Sequence, residues 1–113
     1  MSQRARAELD RIKDGGGPSA DDAATALCDG PIGQRLEASI RALAEHRGPD
    51  SSTCPSDAAR AVGGADWRDL MPQARDIARD LARAGDIEIT QRGDVLDPDG
   101  VWRGPIRIRT TGR

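Results

Sequence analysis

Few side chains in this sequence have the chemistry of a catalytic or metal site. The chain of 113 residues contains two cysteines, Cys28 and Cys54, and one histidine, His46. No Cys-x-x-Cys or His-x-His spacing occurs, so structural zinc has too few ligands. Cys54 precedes Pro55 at a predicted helix start, but no third group that would orient a cysteine–histidine pair can be identified. We therefore expect no catalytic residue, metal or cofactor, two free thiols, and a small buried side chain at Cys54.

Arginine is the residue type best suited to recognise a ligand. The chain contains 16 arginines and a single lysine, and a guanidinium can make two parallel hydrogen bonds to phosphate or guanine. However, 19 acidic residues against 17 basic ones leave a net charge of −2. Domains that bind the phosphate backbone of nucleic acids usually have a pI above about 9. The composition thus excludes a strongly basic nucleic-acid-binding protein, and the arginine excess mainly reflects genomic base composition.

Some of these arginines fall on one face of a predicted helix that begins soon after Trp67. At ~3.6 residues per turn, they lie opposite the apolar side chains and form a stripe of Arg75, Arg79 and Arg83. Arg68 joins the stripe if the helix already includes it. A DNA-contacting face is one interpretation. A solvated face with surface ion pairs is the other, because Asp76 and Asp80 precede two of these arginines by three residues.

A second group of arginines surrounds the last predicted strand, at Arg103, Arg107 and Arg109. The preceding loop carries acids at its turns, which would repel phosphate, at Asp94, Asp97 and Asp99. Only the arginine-rich end of this loop is therefore suited to contact a phosphate backbone. Alternatively, Arg107 and Arg109 form the solvent face of an edge strand, where charge discourages unwanted pairing.

The elements that must position these residues follow from periodicity and from glycine and proline. Apolar steps of three and four predict helices over residues 2–13, 20–28, 32–46, 55–62 and from about 69–72 to 84. Alternation predicts strands over residues 87–90 and 106–109, paired as an antiparallel hairpin with a long loop. Ser19 and Asp22 are expected to cap the second helix. With no Phe or Tyr, Trp67 and Trp102 are expected in the core.

Length and composition favour one small domain built from small side chains. Leu, Ile and Val together number 18, but the low net charge and 17 alanines still permit a compact helical fold. We expect an N-terminal helical extension over residues 1–30 with a glycine-rich flexible hinge, and a main domain over 31–113. No stretch approaches the ~20 apolar residues of a membrane span, so a cytoplasmic protein is expected.

The predicted order of a long helix, a short helix, a third helix and a hairpin is that of a winged helix-turn-helix domain, so the fold class is mainly α with a small β-hairpin. Three blocks sharpen it: Cys-Pro-Ser-Asp at 54–57, Trp-Arg-Asp-Leu-Met-Pro at 67–72 and Gly-Pro-Ile-Arg at 104–107. They resemble the bacterial family called domain of unknown function 3253. The resemblance implies a winged-helix fold over about residues 32–109 and brings no activity or ligand.

Two functions from different classes follow. The first is a winged-helix protein that binds duplex DNA. Its predicted groove contacts are Arg75 and Arg79 with Arg68 and Arg83, and its predicted backbone contacts are Arg103, Arg107 and Arg109. The second is a protein-interaction module that uses the same fold without nucleic acid. Self-association would then run through N-terminal apolar side chains, at Leu9, Ile12 and Leu27. An enzyme is not expected.

Overall fold

A computed structural model describes residues 4–48 and 50–111. Within them, helices precede a small antiparallel sheet, which confirms a mainly α fold with a small β-hairpin. The α-helices are α1 (Arg4–Gly15), α2 (Pro18–Leu27), α3 (Ile32–Arg47), α4 (Pro55–Gly63) and α5 (Met71–Arg83), with a 3₁₀ helix over Gly64–Leu70. The strands are β1 (Ile87–Gln91), β2 (Asp94–Val95) and β3 (Arg107–Thr110).

Glycine and proline set most of the helix ends as predicted. Pro55 is the first residue of α4, where its missing N–H has no partner to lose. Gly85 follows α5 with φ of 83°, a left-handed conformation that glycine adopts without strain. The predicted Ser19 cap is wrong: α2 begins at Pro18 after Gly17 without a side-chain cap. Ser19 Oγ instead lies 3.4 Å from Glu45 Oε2 on α3.

The sheet has the order β2-β1-β3 and is antiparallel throughout. Ile89 faces Ile108 across β1 and β3, which confirms the predicted hairpin. The short β2 was not predicted; it follows a tight turn in which Arg92 and Gly93 both have positive φ, 54° and 87°. Thr53 adds one further bridge, since its N–H and carbonyl each pair with Ile108 at 2.7 Å.

Two buried clusters hold these elements together, and α3 contributes to both. The first lies between the sheet, α3 and α5, around Leu36, Ile40, Leu81, Ile89 and Ile108. The second joins the first two helices to α3 and α4, through Ala5, Leu9, Ile12, Ala23, Ala26, Ala38, Ala42, Leu43 and Ala61. Arg47 of α3 adds an ion pair to Glu8 of α1 at 2.7 Å. The N-terminal helices therefore pack against the main domain.

Neither tryptophan lies fully in the core, contrary to the prediction. Trp102 is half-buried and packs against the edge of the first cluster. Trp67 is half-buried in the 3₁₀ helix. Its ring contacts two guanidinium groups, those of Arg60 at 4.3 Å and Arg68 at 4.6 Å from the ring centroid.

Candidate nucleic-acid interface

The stripe of Arg75, Arg79 and Arg83 lies on one face of α5 as predicted, but the protein's own loop covers it. Residues 97–104, which we call the cover loop, run along this face. Arg75 Nη1 donates a hydrogen bond to the Gly104 carbonyl at 3.3 Å. Arg79 Nη1 donates to the Gly100 carbonyl at 2.8 Å and also to the Pro98 carbonyl. Arg83 Nε pairs with the Asp99 carboxylate at 2.6 Å.

Trp102 completes the contact between the cover loop and α5. The guanidinium carbon of Arg79 lies 4.1 Å from the centroid of its ring and that of Arg75 lies 5.9 Å away. The indole N–H donates to the Asp97 carbonyl at 2.9 Å, within the same loop. Carbonyl acceptors therefore occupy Nη1 of Arg79, its guanidinium stacks over the Trp102 ring, and the side chain is half-buried.

Sequence spacing predicted ion pairs between acids and arginines of α5 as the alternative to a DNA-contacting face, and one of the two pairs forms. Arg83 Nη1 lies 3.4 Å from Asp80 on the same helix, at the three-residue spacing. Arg79, by contrast, is held by the cover loop. Asp76 and Asp80 of α5 are exposed, as are Arg83, which pairs with Asp80 and Asp99, and Gln73, which lies towards α3. This helix thus presents two carboxylates where a groove-binding helix would present bases.

At the base of the loop, three arginines line an open cleft of about 430 Å³. We call this the arginine cleft, and its lining residues are Gln91, Arg92, Arg103, Gly104, Pro105 and Arg107. No carboxylate is among them. Within the described residues, the side chains of Arg92 and Arg103 make no hydrogen bond or ion pair. The cleft therefore concentrates positive charge in a protein whose net charge is −2.

Arg92 was missed by sequence reasoning. It occupies the left-handed position of the turn from β1 to β2, a conformation that a non-glycine side chain adopts at a cost. The sequence signal was the Arg92-Gly93 pair between two alternating segments, which marks a two-residue hairpin turn.

Neighbouring groups hold the cleft in shape. Arg107 donates from Nε to Ser52 Oγ and from Nη2 to the Ser52 carbonyl, both at 2.9 Å. Gln91 Nε2 donates to the Pro105 carbonyl at 3.0 Å and to the Arg103 carbonyl. The Ser52 carbonyl also accepts a hydrogen bond from Arg47 at 2.9 Å, which ties the cleft to α3. The cleft is thus preorganised by strand, loop and helix.

Asp57 anchors the segment that carries Ser52. Its carboxylate accepts hydrogen bonds from the Thr53 hydroxyl at 2.7 Å and the Cys54 N–H at 3.3 Å, and lies 3.3 Å from Arg47. Burial by itself would raise the pKa of Asp57, but these hydrogen bonds and the Arg47 charge outweigh it and hold that pKa below its usual range. The carboxylate is therefore ionised in the folded protein at neutral pH.

Two of the predicted site residues, Arg109 and Arg68, lie apart from both the cleft lining and the cover loop. Arg109 is half-buried on β3, and its Nε lies 3.4 Å from Glu88 on β1. Arg68 is exposed in the 3₁₀ helix just before α5, over the Trp67 ring. Of the seven predicted contact residues, Arg103 and Arg107 line the cleft, and Arg75, Arg79 and Arg83 contact the cover loop. Arg109 contacts Glu88 on β1, and Arg68 contacts the Trp67 ring.

A second cavity, of about 620 Å³, opens between α2, α3 and α5. Its polar lining includes Asp22, Glu37 and Arg41. Burial raises the pKa of Asp22, and three nearby carboxylates raise it further against the opposing charge of Arg41. The mixed charge of this lining leaves it without a clear preference for an anion or a cation.

The cysteine and histidine side chains make separate local contacts. Cys28 is exposed and its Sγ hydrogen-bonds the Thr25 carbonyl at 3.0 Å, while Cys54 is half-buried with its Sγ 2.9 Å from Ser56 Oγ. His46 is exposed near the end of α3. Over residues 4–48 and 50–111, no three His, Cys, Asp or Glu side chains form a group able to hold a metal ion. The same residues include no helix long and apolar enough to cross a membrane.

Comparison with known proteins identifies a family. The model of the family described as "Protein of unknown function (DUF3253)" matches residues 33–111. That segment contains the three sequence blocks, α5, the cover loop and every residue of the arginine cleft. No curated protein matches the chain in sequence. The family model spans well over half of the sequence, and the chain belongs to the DUF3253 family.

Proposed function

We propose that this protein is a cytoplasmic winged helix-turn-helix protein that binds duplex DNA through the arginine cleft. The order of elements supports the winged-helix assignment: α3, the single Thr53 bridge, α4, α5, then β1 and β3 joined by a long loop. In helix-turn-helix domains the recognition helix, here α5, lies in the major groove, and in this protein the long loop lies along α5. The cleft lies at the base of that loop.

One observation carries the proposal: three arginines line a cleft without a carboxylate among its described lining residues. A backbone phosphate is an anion with several acceptor oxygens, and charge-assisted hydrogen bonds from arginine to phosphate are among the strongest in proteins. Ser52 presets Arg107, so less conformational entropy is lost when a phosphate binds.

The other predicted contact residues take different roles in this proposal. Arg75 sits beside the cleft, because it is bonded to the Gly104 carbonyl. Arg68, exposed before α5, is available to a neighbouring phosphate. Arg79 holds the cover loop, Arg83 forms an exposed ion pair with Asp99 of that loop, and Arg109 stabilises the sheet through Glu88. The contact surface is therefore smaller than the sequence predicted.

The test is fluorescence anisotropy of the full chain with a labelled duplex across a salt series. We expect binding that weakens as salt rises, with a slope of about −0.9 per phosphate contact. Arg103→Ala with Arg107→Ala should flatten that slope by about two contacts. The matched control removes the same charge from exposed positions of α1, Arg4→Ala with Arg11→Ala. Absence of salt-dependent binding, or an equal loss in the control, would refute the proposal.

A protein-interaction module remains the second candidate, and one observation favours it. Val101 is 88% exposed at the crest of the cover loop, beside Met71, Pro72 and Trp102. Of the apolar side chains expected to mediate self-association, Leu9 is 0% and Ile12 5% exposed within the chain, and Leu27 is half-buried against the second cluster. Light scattering discriminates: a mass above the monomer that falls with Val101→Asp supports an interface here, and a monomer in both samples excludes self-association through it.

A further inference from the structure

The helix that would read base edges has its best donors engaged by its own chain. Arg79 donates to the Gly100 and Pro98 carbonyls and stacks on Trp102. To form the bidentate contact that distinguishes guanine, this half-buried side chain would have to leave the cover loop. Because the loop lies over this face of α5, it also adds its own thickness between the helix and any duplex.

The carboxylate of Asp99 occupies the position that an acceptor on DNA would take at Arg83. It lies 2.6 Å from Arg83 Nε, and Asp80 lies 3.4 Å from Nη1 of the same group. Two acids on one guanidinium leave the local charge negative. A phosphate approaching Arg83 would therefore meet repulsion instead of attraction.

What α5 still exposes is poorly suited to the major groove. Asp76 and Asp80 repel the phosphate walls of the groove, and they leave Gln73 as the exposed amide on this helix. A glutamine can pair with adenine. Gln73, however, lies towards α3. Its Nε2 is so close to Gly33 that a Cβ added to this glycine would lie 3.2 Å from it. By contrast, the arginine cleft has the charge to hold a phosphate and is built on backbone carbonyls and arginines.

We infer that this protein binds duplex DNA without sequence preference, because the arginine cleft contacts only the phosphate backbone and the cover loop keeps α5 out of the major groove. This inference rests on the proposed function. Phosphate contacts position a protein on DNA and carry no direct sequence information. The expected affinity is that of non-specific complexes, a Kd of roughly 10⁻⁴ to 10⁻⁶ M at physiological salt.

The experiment uses a pool of 20-base-pair duplexes with randomised sequence and the full chain. Anisotropy on the unselected pool measures whether DNA is bound. Repeated rounds of selection on immobilised protein, followed by sequencing, measure preference. We expect the unselected pool to bind, no motif to be enriched, and the final pool to bind within about threefold of the starting pool.

Two variants separate the cleft from the helix. Arg103→Ala with Arg107→Ala should weaken binding of individual duplexes from the pool by a common factor, because each duplex offers the same phosphates. Gln73→Ala should leave every affinity unchanged. Thermal melting of each variant checks that it is folded.

The outcomes are distinct. An enriched motif that binds more than about 30-fold tighter than the starting pool overturns the inference while leaving DNA binding intact. Loss of that preference in Gln73→Ala would assign base reading to α5. If the unselected pool shows no salt-dependent binding, the proposed function fails and the inference fails with it.

Discussion

At the scale of single residues, Asp57 makes more contacts than its place in a short helix suggests. Its carboxylate holds Thr53 and Cys54 at the start of α4 and lies beside Arg47, which itself bonds the Ser52 carbonyl. In the sequence, Asp57 stood out only as part of the Cys-Pro-Ser-Asp block at 54–57. Its partners could not be predicted, because Arg47 comes from another helix and Thr53 is placed by the sheet.

Replacing Asp57 tests this network. Asp57→Asn should lower the free energy of unfolding by about 2 kcal/mol at pH 7, because charge-assisted hydrogen bonds lose their anionic acceptor. The folded pKa of Asp57 is lowered, so its contribution is present above the unfolded pKa of about 3.9 and is lost as pH falls through the folded pKa. The difference between wild type and variant should therefore narrow below about pH 4.

Urea denaturation at a series of pH values measures this difference. Asp29→Asn is the matched control, since Asp29 is exposed, and it should leave the unfolding midpoint unchanged at pH 7. A difference between wild type and Asp57→Asn that is as large at pH 3 as at pH 7 would show that side-chain packing, and not charge, sets its size.

At the scale of elements, the helices and the hairpin were predictable and the cover loop was not. Apolar periodicity and the flanking Gly and Pro residues predicted α3 and α4 to within one residue of their observed ends. The cover loop has no period, and its acceptors for Arg75 and Arg79 are main-chain carbonyls, which every residue type possesses. Sequence could therefore place arginines on one face of α5 without revealing what they contact.

The cover loop should detach from α5 when Arg79 is removed. In a Trp67→Leu background, where Trp102 is the remaining tryptophan, Arg79→Ala should shift the fluorescence emission to the red and increase quenching by acrylamide. The loss of two hydrogen bonds and one cation–π contact should cost about 1–2 kcal/mol of stability.

Arg83→Ala is the comparison for this variant. It removes a guanidinium from the same stripe, but its ion pairs with Asp80 and Asp99 are solvent-exposed and surface pairs contribute little to stability. We expect its emission and unfolding midpoint to match those of the Trp67→Leu parent. An Arg79→Ala emission spectrum identical to that of the parent would show that the loop is held by other contacts.

At the scale of the whole molecule, charge distribution and packing matter more than totals. A net charge of −2 argued against DNA, yet the acids and bases are segregated: carboxylates border the covered face of α5 while arginines line the cleft. The arrangement of the apolar residues likewise compensates for the low content of large ones. Alanines of α1 to α4 pack closely in the second cluster, so two thin cores replace the single core that aromatic residues would have filled.

Because α1 and α2 pack against α3 and α4, we expect the N-terminal helices to fold as one unit with the rest of the chain, and a chain beginning at Pro31 tests this. The shortened chain lacks α1 and α2. It would therefore expose Ala38, Ala42 and Leu43, which are buried against these helices in the full chain. Burying one leucine side chain is worth about 2 kcal/mol, and small domains have only about 5–15 kcal/mol of net stability. We therefore expect the shortened chain to bind a hydrophobic dye and to melt without a cooperative transition, and Leu9→Ala in the full chain to lose about 2–4 kcal/mol. A shortened chain that melts cooperatively at the temperature of the full chain would show instead that residues 31–113 fold independently and that the first two helices are an attached extension.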